Sequence, residues 1–233
     1  MMLLAVDTCL GACSVAVVRR AGPMPGDTSA VLASLYERRD TGHAERLLPM
    51  VDEVLRRAGI AFADCQGLAV TLGPGTFTGV RLGVAAARGL ALAAGLPIWA
   101  STSLALVAAA ARERGASSTG RILAVADARN AQVHAQLFGA VGSADAAPLL
   151  LTLAAAAALV GPDVTLAGNA AALVAGAAGE AGRTPAAIHP DIEPDARFLA
   201  TVPLSAADAP LPLYARPPDA KPQAGQSLPR AAT

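Results

Sequence analysis

Residues Leu68 to Pro97 read LAVTLGPGTFTGVRLGVAAARGLALAAGLP, and the rest of the chain is organised around them. Leu68–Thr71 is a short apolar run bounded by Gly67 and Gly73, as suits a strand buried on both faces. Gly73-Pro74-Gly75 breaks it. Thr76 or Thr78 then caps a helix that stops at Gly95, with Pro97 beyond. Gly79, Gly83, Ala87, Ala91 and Gly95 recur every fourth residue and make one helix face small. A glycine inside a helix costs roughly 1 kcal/mol against alanine, so another backbone is expected very close to that face. Either the chain's own sheet or a partner protein supplies that backbone. Away from the stripe, Val80, Leu82, Val84, Leu90 and Leu92 keep the helix apolar, and only Arg81 and Arg88 interrupt it. A helix apolar nearly all round is buried on more than one side. The two arginines argue against a membrane span. The GPGTFTG loop has glycines at a helix N-terminus, as phosphate loops do, but it lacks the G-x-x-x-x-G-K-[ST] pattern.

The whole chain narrows the choice of function. It has 233 residues, is 54% hydrophobic and only 15% charged, and has zero formal net charge. That composition supports a sizeable core and argues against autonomous nucleic-acid binding, which needs a basic surface. Aromatic residues make up 3%, too few for a base-stacking platform. No secretory signal precedes the first apolar run, so a cytoplasmic protein with no membrane attachment is expected. Cys9, Cys13 and Cys65 form no C-x-x-C pair and read as buried, reduced thiols.

Taken in order, Met2–Val6, Cys13–Arg19 and Val31–Arg38 read as an antiparallel meander, with a Gly/Pro/Ser loop at Gly22–Ser29. Leu47, Leu48, Val51, Val54, Leu55 and Ala58 give a helical stripe over Ala44–Ala58, in which Pro49 belongs to the first turn or makes a kink. After the central stretch come a strand at Ile98–Ala100 and a helix over Leu104–Arg114. Gly115–Gly120 reads as a linker, and then the pattern restarts: RILAVAD at 121–127 echoes MLLAVD near the N-terminus. Gln132–Phe138, Leu149–Thr152 and Val164–Ala167 are the next strands, with helices at Ala154–Val160 and Asn169–Ala177. The repeat of meander and αβα indicates an internal duplication. Three regions result: 1–115, 116–205 and a proline-rich, irregular tail, 206–233.

The segments LLAVDTCLGACSVAVV, GHAERLLPMVDEVL, LGPGTFTGVRLG, ILAVADARNAQVHAQLF and PLYARPP occur in this order and closely resemble the TsaB family, also called YeaZ. The resemblance implies an α/β, actin-like ATPase (ASKHA, ribonuclease H-like) duplicated fold of two lobes, each a mixed sheet flanked by helices. It implies a non-catalytic scaffold or activator in tRNA threonylcarbamoyladenosine formation, the modification of the adenosine next to the anticodon. In that family the partner is the paralogous catalyst TsaD, joined by the ATPase TsaE, and tRNA is reached through the complex. TsaD carries H-x-x-x-H, two imidazoles placed to hold a metal. At the matching place this chain has Ser103 and Val107. His43, His134 and His189 are far apart in sequence and have no ligand spacing.

Actin-like folds bind phosphates between two hairpin turns. Asp7 and Thr8 at the first turn are therefore candidate remnants of a phosphate loop, although Asp7 also suits a turn cap. The second turn carries Asp127, Ala128 and Arg129 without glycines, and Asp127 and Arg129 are expected to pair with each other or with the lobe interface. No intrinsic cofactor is expected, with ATP or ADP only within the complex. The resemblance implies partner contact through the two first-lobe helices, here through Leu47, Leu48, Val51, Gly79, Val80, Gly83, Val84 and Ala87, so that Gly83→Leu would break a heterodimer and leave the fold intact. Two alternatives are a stand-alone actin-fold ATPase or kinase, and a homodimer through the same helices. Peptidase chemistry is disfavoured because no G-x-S-x-G elbow occurs.

Overall fold

The structure, a computed structural model, describes residues 1–21, 28–116, 120–139, 144 and 146–214. Most of the Gly22–Ser29 loop, the centre of the Gly115–Gly120 linker and the tail beyond Tyr214 lie outside the described residues. The chain opens with β1 (Met2–Asp7), β2 (Ala12–Arg19) and β3 (Ala30–Arg38), then α1 (His43–Ala58), β4 (Leu68–Thr71), α2 (Phe77–Ala94), β5 (Ile98–Ser101) and α3 (Ser103–Glu113). It continues as β6 (Arg121–Asp127), β7 (Gln132–Phe138), β8 (Leu149–Thr152), α4 (Leu153–Ala157), β9 (Val164–Ala167), α5 (Ala171–Glu180) and β10 (Ala187–His189), and ends with a 3₁₀ turn (Ala196–Ala200) and β11 (Ser205–Ala206).

Two mixed sheets, both flanked by helices, carry the molecule. The first runs β11-β5-β4-β1-β2-β3 and the second β10-β9-β6-β7-β8. In the first, β1 is antiparallel to β2 and parallel to β4, and β4 is parallel to β5. In the second, β6 is antiparallel to β7 and parallel to β9, and β9 is parallel to β10. With β11 set aside, the two sheets have the same order and the same orientations. The apolar runs of β1, β4 and β6 are buried throughout their middles, as strands covered by helices on both faces must be.

Local signals place the helices. Thr76 accepts from the Gly79 N–H at the start of α2, and Gly95 closes it in the left-handed region at φ 64°. Thr102 caps α3 through the Ala105 N–H. Pro49 lies past the first turn of α1, yet the helix continues to Ala58; the ring removes only the donor toward the Glu45 carbonyl.

One of the core clusters spans both halves. Leu104, Leu106 and Val107 of α3 pack in a single cluster with Leu3 and Val18 of the first sheet, Ile122 and Phe138 of the second, and Leu199. Here the expected regions need correcting. The second sheet ends at His189, and the chain beyond it returns to the first lobe. Arg20 donates to the carbonyls of Leu199 (2.7 Å) and Val202 (2.8 Å), and β11 then pairs with β5. The tail from residue 206 is not wholly irregular, because the Ala207 N–H reaches the Ile98 carbonyl and the Leu213 N–H reaches the Leu72 carbonyl.

Candidate functional site

Three features converge on the first lobe. One is the turn after β1. Asp7 is fully buried. Its carboxylate accepts from the Cys9 N–H at 3.2 Å and from the Thr71 hydroxyl. Burial pushes its pKa up to about 6 against those hydrogen bonds. Thr8 donates its hydroxyl to the Gly79 carbonyl at 2.6 Å. Cys9 lies 3.1 Å from the Thr71 hydroxyl, and burial beside Asp7 raises its thiol pKa well above the ordinary value, so it stays protonated.

The loop from Gly73 to Gly79 closes over this turn. The Thr76 N–H donates to the Cys9 carbonyl at 2.7 Å. A Cβ on Gly75 would stand 2.1 Å from the Cys9 carbonyl oxygen, and one on Gly79 2.1 Å from that of Thr8. At Gly83 the obstacle would be the Thr8 hydroxyl at 2.7 Å. The close backbone that the small stripe demands is therefore the chain's own β1–β2 turn.

That placement corrects several expectations. Gly79, Val80, Gly83, Val84 and Ala87 are buried against the chain's own sheet, and Leu47 and Val51 of α1 are buried in its core. None of the seven is at the surface for a partner, and Gly83→Leu would disturb the fold itself. Leu48 alone of the eight is exposed, at 56%. As phosphate-loop remnants Asp7 and Thr8 also fail, because both are buried and their side chains are engaged inside the lobe. The turn-cap reading of Asp7 is the one the geometry carries.

The second feature is the contact between lobes. Glu193 accepts from the Gly11 N–H at 3.0 Å and from the Asn169 side-chain amide at 3.1 Å. Asn169 in turn accepts from the Asp127 N–H at 2.9 Å. One relay thus ties the β1–β2 turn to the β6–β7 turn, beside a cavity of about 400 Å³ that Arg38, Arg39, Asp40 and Asp191 also line. Asp127 accepts from the Arg129 backbone N–H at 2.8 Å, which caps the turn. Sequence reasoning missed Glu193 and Asn169, since neither stands in a periodic pattern or a motif.

The third feature is the outward face of α2. Phe77, Arg81, Ala85, Arg88 and Leu92 recur at intervals of four, four, three and four and are all exposed, Leu92 at 86%. This face lies on the side of the helix away from the glycine stripe. α2 is long and apolar enough to cross a membrane by length and composition. It lies instead along the sheet, with its small face inside the lobe.

Ser103 and Val107 are fully buried, and Ser103 donates its hydroxyl to the Pro74 carbonyl. Among the described residues, no group of three or more His, Cys, Asp or Glu side chains could hold a metal ion.

A family model described as TsaD: tRNA N6-adenosine threonylcarbamoyltransferase matches residues 37–169. The chain is 39% identical over 135 residues to the tRNA threonylcarbamoyladenosine biosynthesis protein TsaB of Escherichia coli, covering 58% of this chain and 53% of that protein. It therefore spans about half the length of the curated TsaB relatives it matches. An uncharacterized Mycobacterium tuberculosis protein is 34% identical over 95% of both chains. Among solved structures, YeaZ from Pseudomonas aeruginosa is 31% identical with a TM-score of 0.69, covering 91% of this chain and 99% of that one.

Proposed function

Since this chain belongs to the TsaB (YeaZ) family, we propose that it serves in tRNA threonylcarbamoyladenosine biosynthesis as a non-catalytic subunit of the cytoplasmic modifying complex. The observation that carries the reading is the pair Ser103 and Val107. The catalyst's metal-binding imidazoles are replaced here by a hydroxyl held by the Pro74 carbonyl and an aliphatic side chain, both fully buried. Neither can hold a metal ion as an imidazole does.

An actin-like ancestry accords with the two sheets of matching order. In this reading the direct partner is TsaD, with TsaE joining the assembly, and tRNA is bound through them. The docking face is the outward side of α2 together with Leu48 of α1, where Ala85 and Gly89 let a second helix come close. Any nucleotide belongs to the assembled complex, because the buried Asp7–Thr8 turn offers it no seat.

The test is reconstitution. Transcript tRNA, threonine, bicarbonate and ATP are incubated with the adenylate-forming enzyme, TsaD and TsaE, with and without this chain. Modified adenosine is expected only in its presence. Equal modification without it overturns the proposal, and steady ATP turnover by the purified chain alone would move it to the stand-alone ATPase reading.

A further inference from the structure

Arg81 is held in place by two aromatic side chains. Its guanidinium carbon lies 3.4 Å from the centre of the Phe77 ring and 5.5 Å from that of Tyr214. Its Nε donates to the Tyr214 hydroxyl at 2.5 Å. The two rings are themselves stacked, with centroids 5.9 Å apart. Tyr214 is supplied by the returning C-terminal segment, which the Leu213 N–H fastens to the Leu72 carbonyl at 2.7 Å. An arginine fixed this way loses little side-chain freedom when it pairs, so more of the pairing energy survives as affinity.

Among the described residues, its remaining donors meet no acid. Arg46, Arg56, Arg57, Arg121 and Arg197 pair with carboxylates, but among the described residues neither Arg81 nor Arg88 does. The sequence of α2 contains no Asp or Glu at all. Phe77, Arg81, Ala85, Arg88 and Leu92 therefore form an exposed face with positive charge and apolar ends. Aromatic residues and arginine together are the composition of interface hot spots.

We infer that Arg81, held against Phe77 and Tyr214, is the anchor of a protein interface and receives a carboxylate from a partner helix lying along the outward face of α2. The guanidinium's terminal nitrogens present a planar fork suited to a two-point contact with an Asp or Glu side chain. The C-terminal segment Leu211–Tyr214 is thereby part of the docking surface. This inference rests on the subunit reading above, and it adds the chemistry that the partner must carry.

The experiment measures binding of the full chain to its cognate TsaD protein by calorimetry at low and moderate salt. Arg81→Ala is expected to weaken binding by about 10- to 100-fold and to flatten its salt dependence, with an unchanged unfolding midpoint. Arg81→Lys restores only part of the loss, because an ammonium lacks the fork. Tyr214→Phe, which keeps the ring and removes the hydroxyl, weakens binding by about 2- to 5-fold. If the unaltered chain binds TsaD and Arg81→Ala binds equally well, the Arg81 inference falls and the subunit reading stands. Full restoration by lysine overturns the two-point contact. No binding of TsaD by the unaltered chain overturns both proposals. If instead the chain alone binds tRNA in an Arg81-dependent, salt-sensitive way, the arginine is a phosphate contact and the protein-partner assignment fails.

Discussion

The turns β1–β2 and β6–β7 stand at equivalent places in two sheets of the same order, and they have opposite fates. Each begins with an aspartate that caps the turn two residues on: Asp7 accepts from the Cys9 N–H and Asp127 from the Arg129 N–H. Asp7 is sealed beneath the Gly73–Gly79 loop, whereas Asp127 is exposed. The second turn goes on through Arg129, Asn130 and Ala131, all left-handed at φ 63°, 52° and 55°. Such conformations cost of order 1 kcal/mol each for residues with a side chain, asparagine least. The same local device is thus a core joint in one lobe and a strained, exposed tip in the other. The helix after the fourth strand of each lobe makes the difference. After β4 an 18-residue helix brings two glycines onto Thr8, while after β9 the helix has 10 residues and Gly168 alone closes on the Val125 carbonyl.

The most damaging way to break this asymmetry is Gly79→Ala. The added Cβ meets the Thr8 carbonyl oxygen at 2.1 Å, where backbone must move. A loss of at least ~4 kcal/mol, or failure to fold, is expected in denaturant titrations. A stability within about 1 kcal/mol of the unaltered protein would show that the two backbones are not in contact.

Next is Asp7→Asn. The folded chain holds the Asp7 proton up to a pKa of about 6, above the ordinary carboxylate value of 3.8. The native state then binds more protons than the unfolded chain between these values. Its stability contribution is complete below about pH 4 and is lost as pH climbs through about 6, by about 3 kcal/mol in all. Asparagine keeps an oxygen for the Cys9 N–H and carries no charge, so the decline across this window should largely vanish. Parallel pH profiles for the two proteins would refute the buried, protonated carboxyl.

Glu193→Gln is expected to cost about 1–2 kcal/mol. Glutamine has one oxygen for two donors, and Asn169 cannot turn over without dropping the Asp127 N–H. Hydrogen exchange should therefore quicken at Gly11 and Asp127 together. A change at Gly11 alone would mean that Glu193 caps one turn and does not join two.

Smallest is Gly89→Ala, on the open side of α2, where an added Cβ meets nothing within 4 Å. It should stabilise the chain by about 0.5–1 kcal/mol, seen as a higher thermal midpoint, because helical glycine carries an entropy cost.

Much of the architecture was legible in the residues alone. The bounds of β4 and α2, the two meanders and the restart at Arg121 all come from apolar periodicity and helix-end signals, whereas the structure decided that Thr76 rather than Thr78 caps α2. These signals lie within one element or its ends, so the sequence carries them directly. Short elements escaped: β10 and β11 have three and two residues, too few to show a period, and β11 exists only because the β5 edge awaits a partner.

The GPGTFTG stretch shows where sequence stops. By itself it pointed to a second backbone against the glycine face of α2, since a close approach offsets the cost of glycines recurring on one face. It could not say whose backbone, because Thr8 is 71 residues away from Gly79 in sequence and reaches it only when β1 and β4 pair in parallel. Tertiary structure alone turned the small face inward. By doing so it left Phe77, Arg81, Ala85, Arg88 and Leu92 facing out, and it brought Tyr214 from the far end of the chain to hold Arg81.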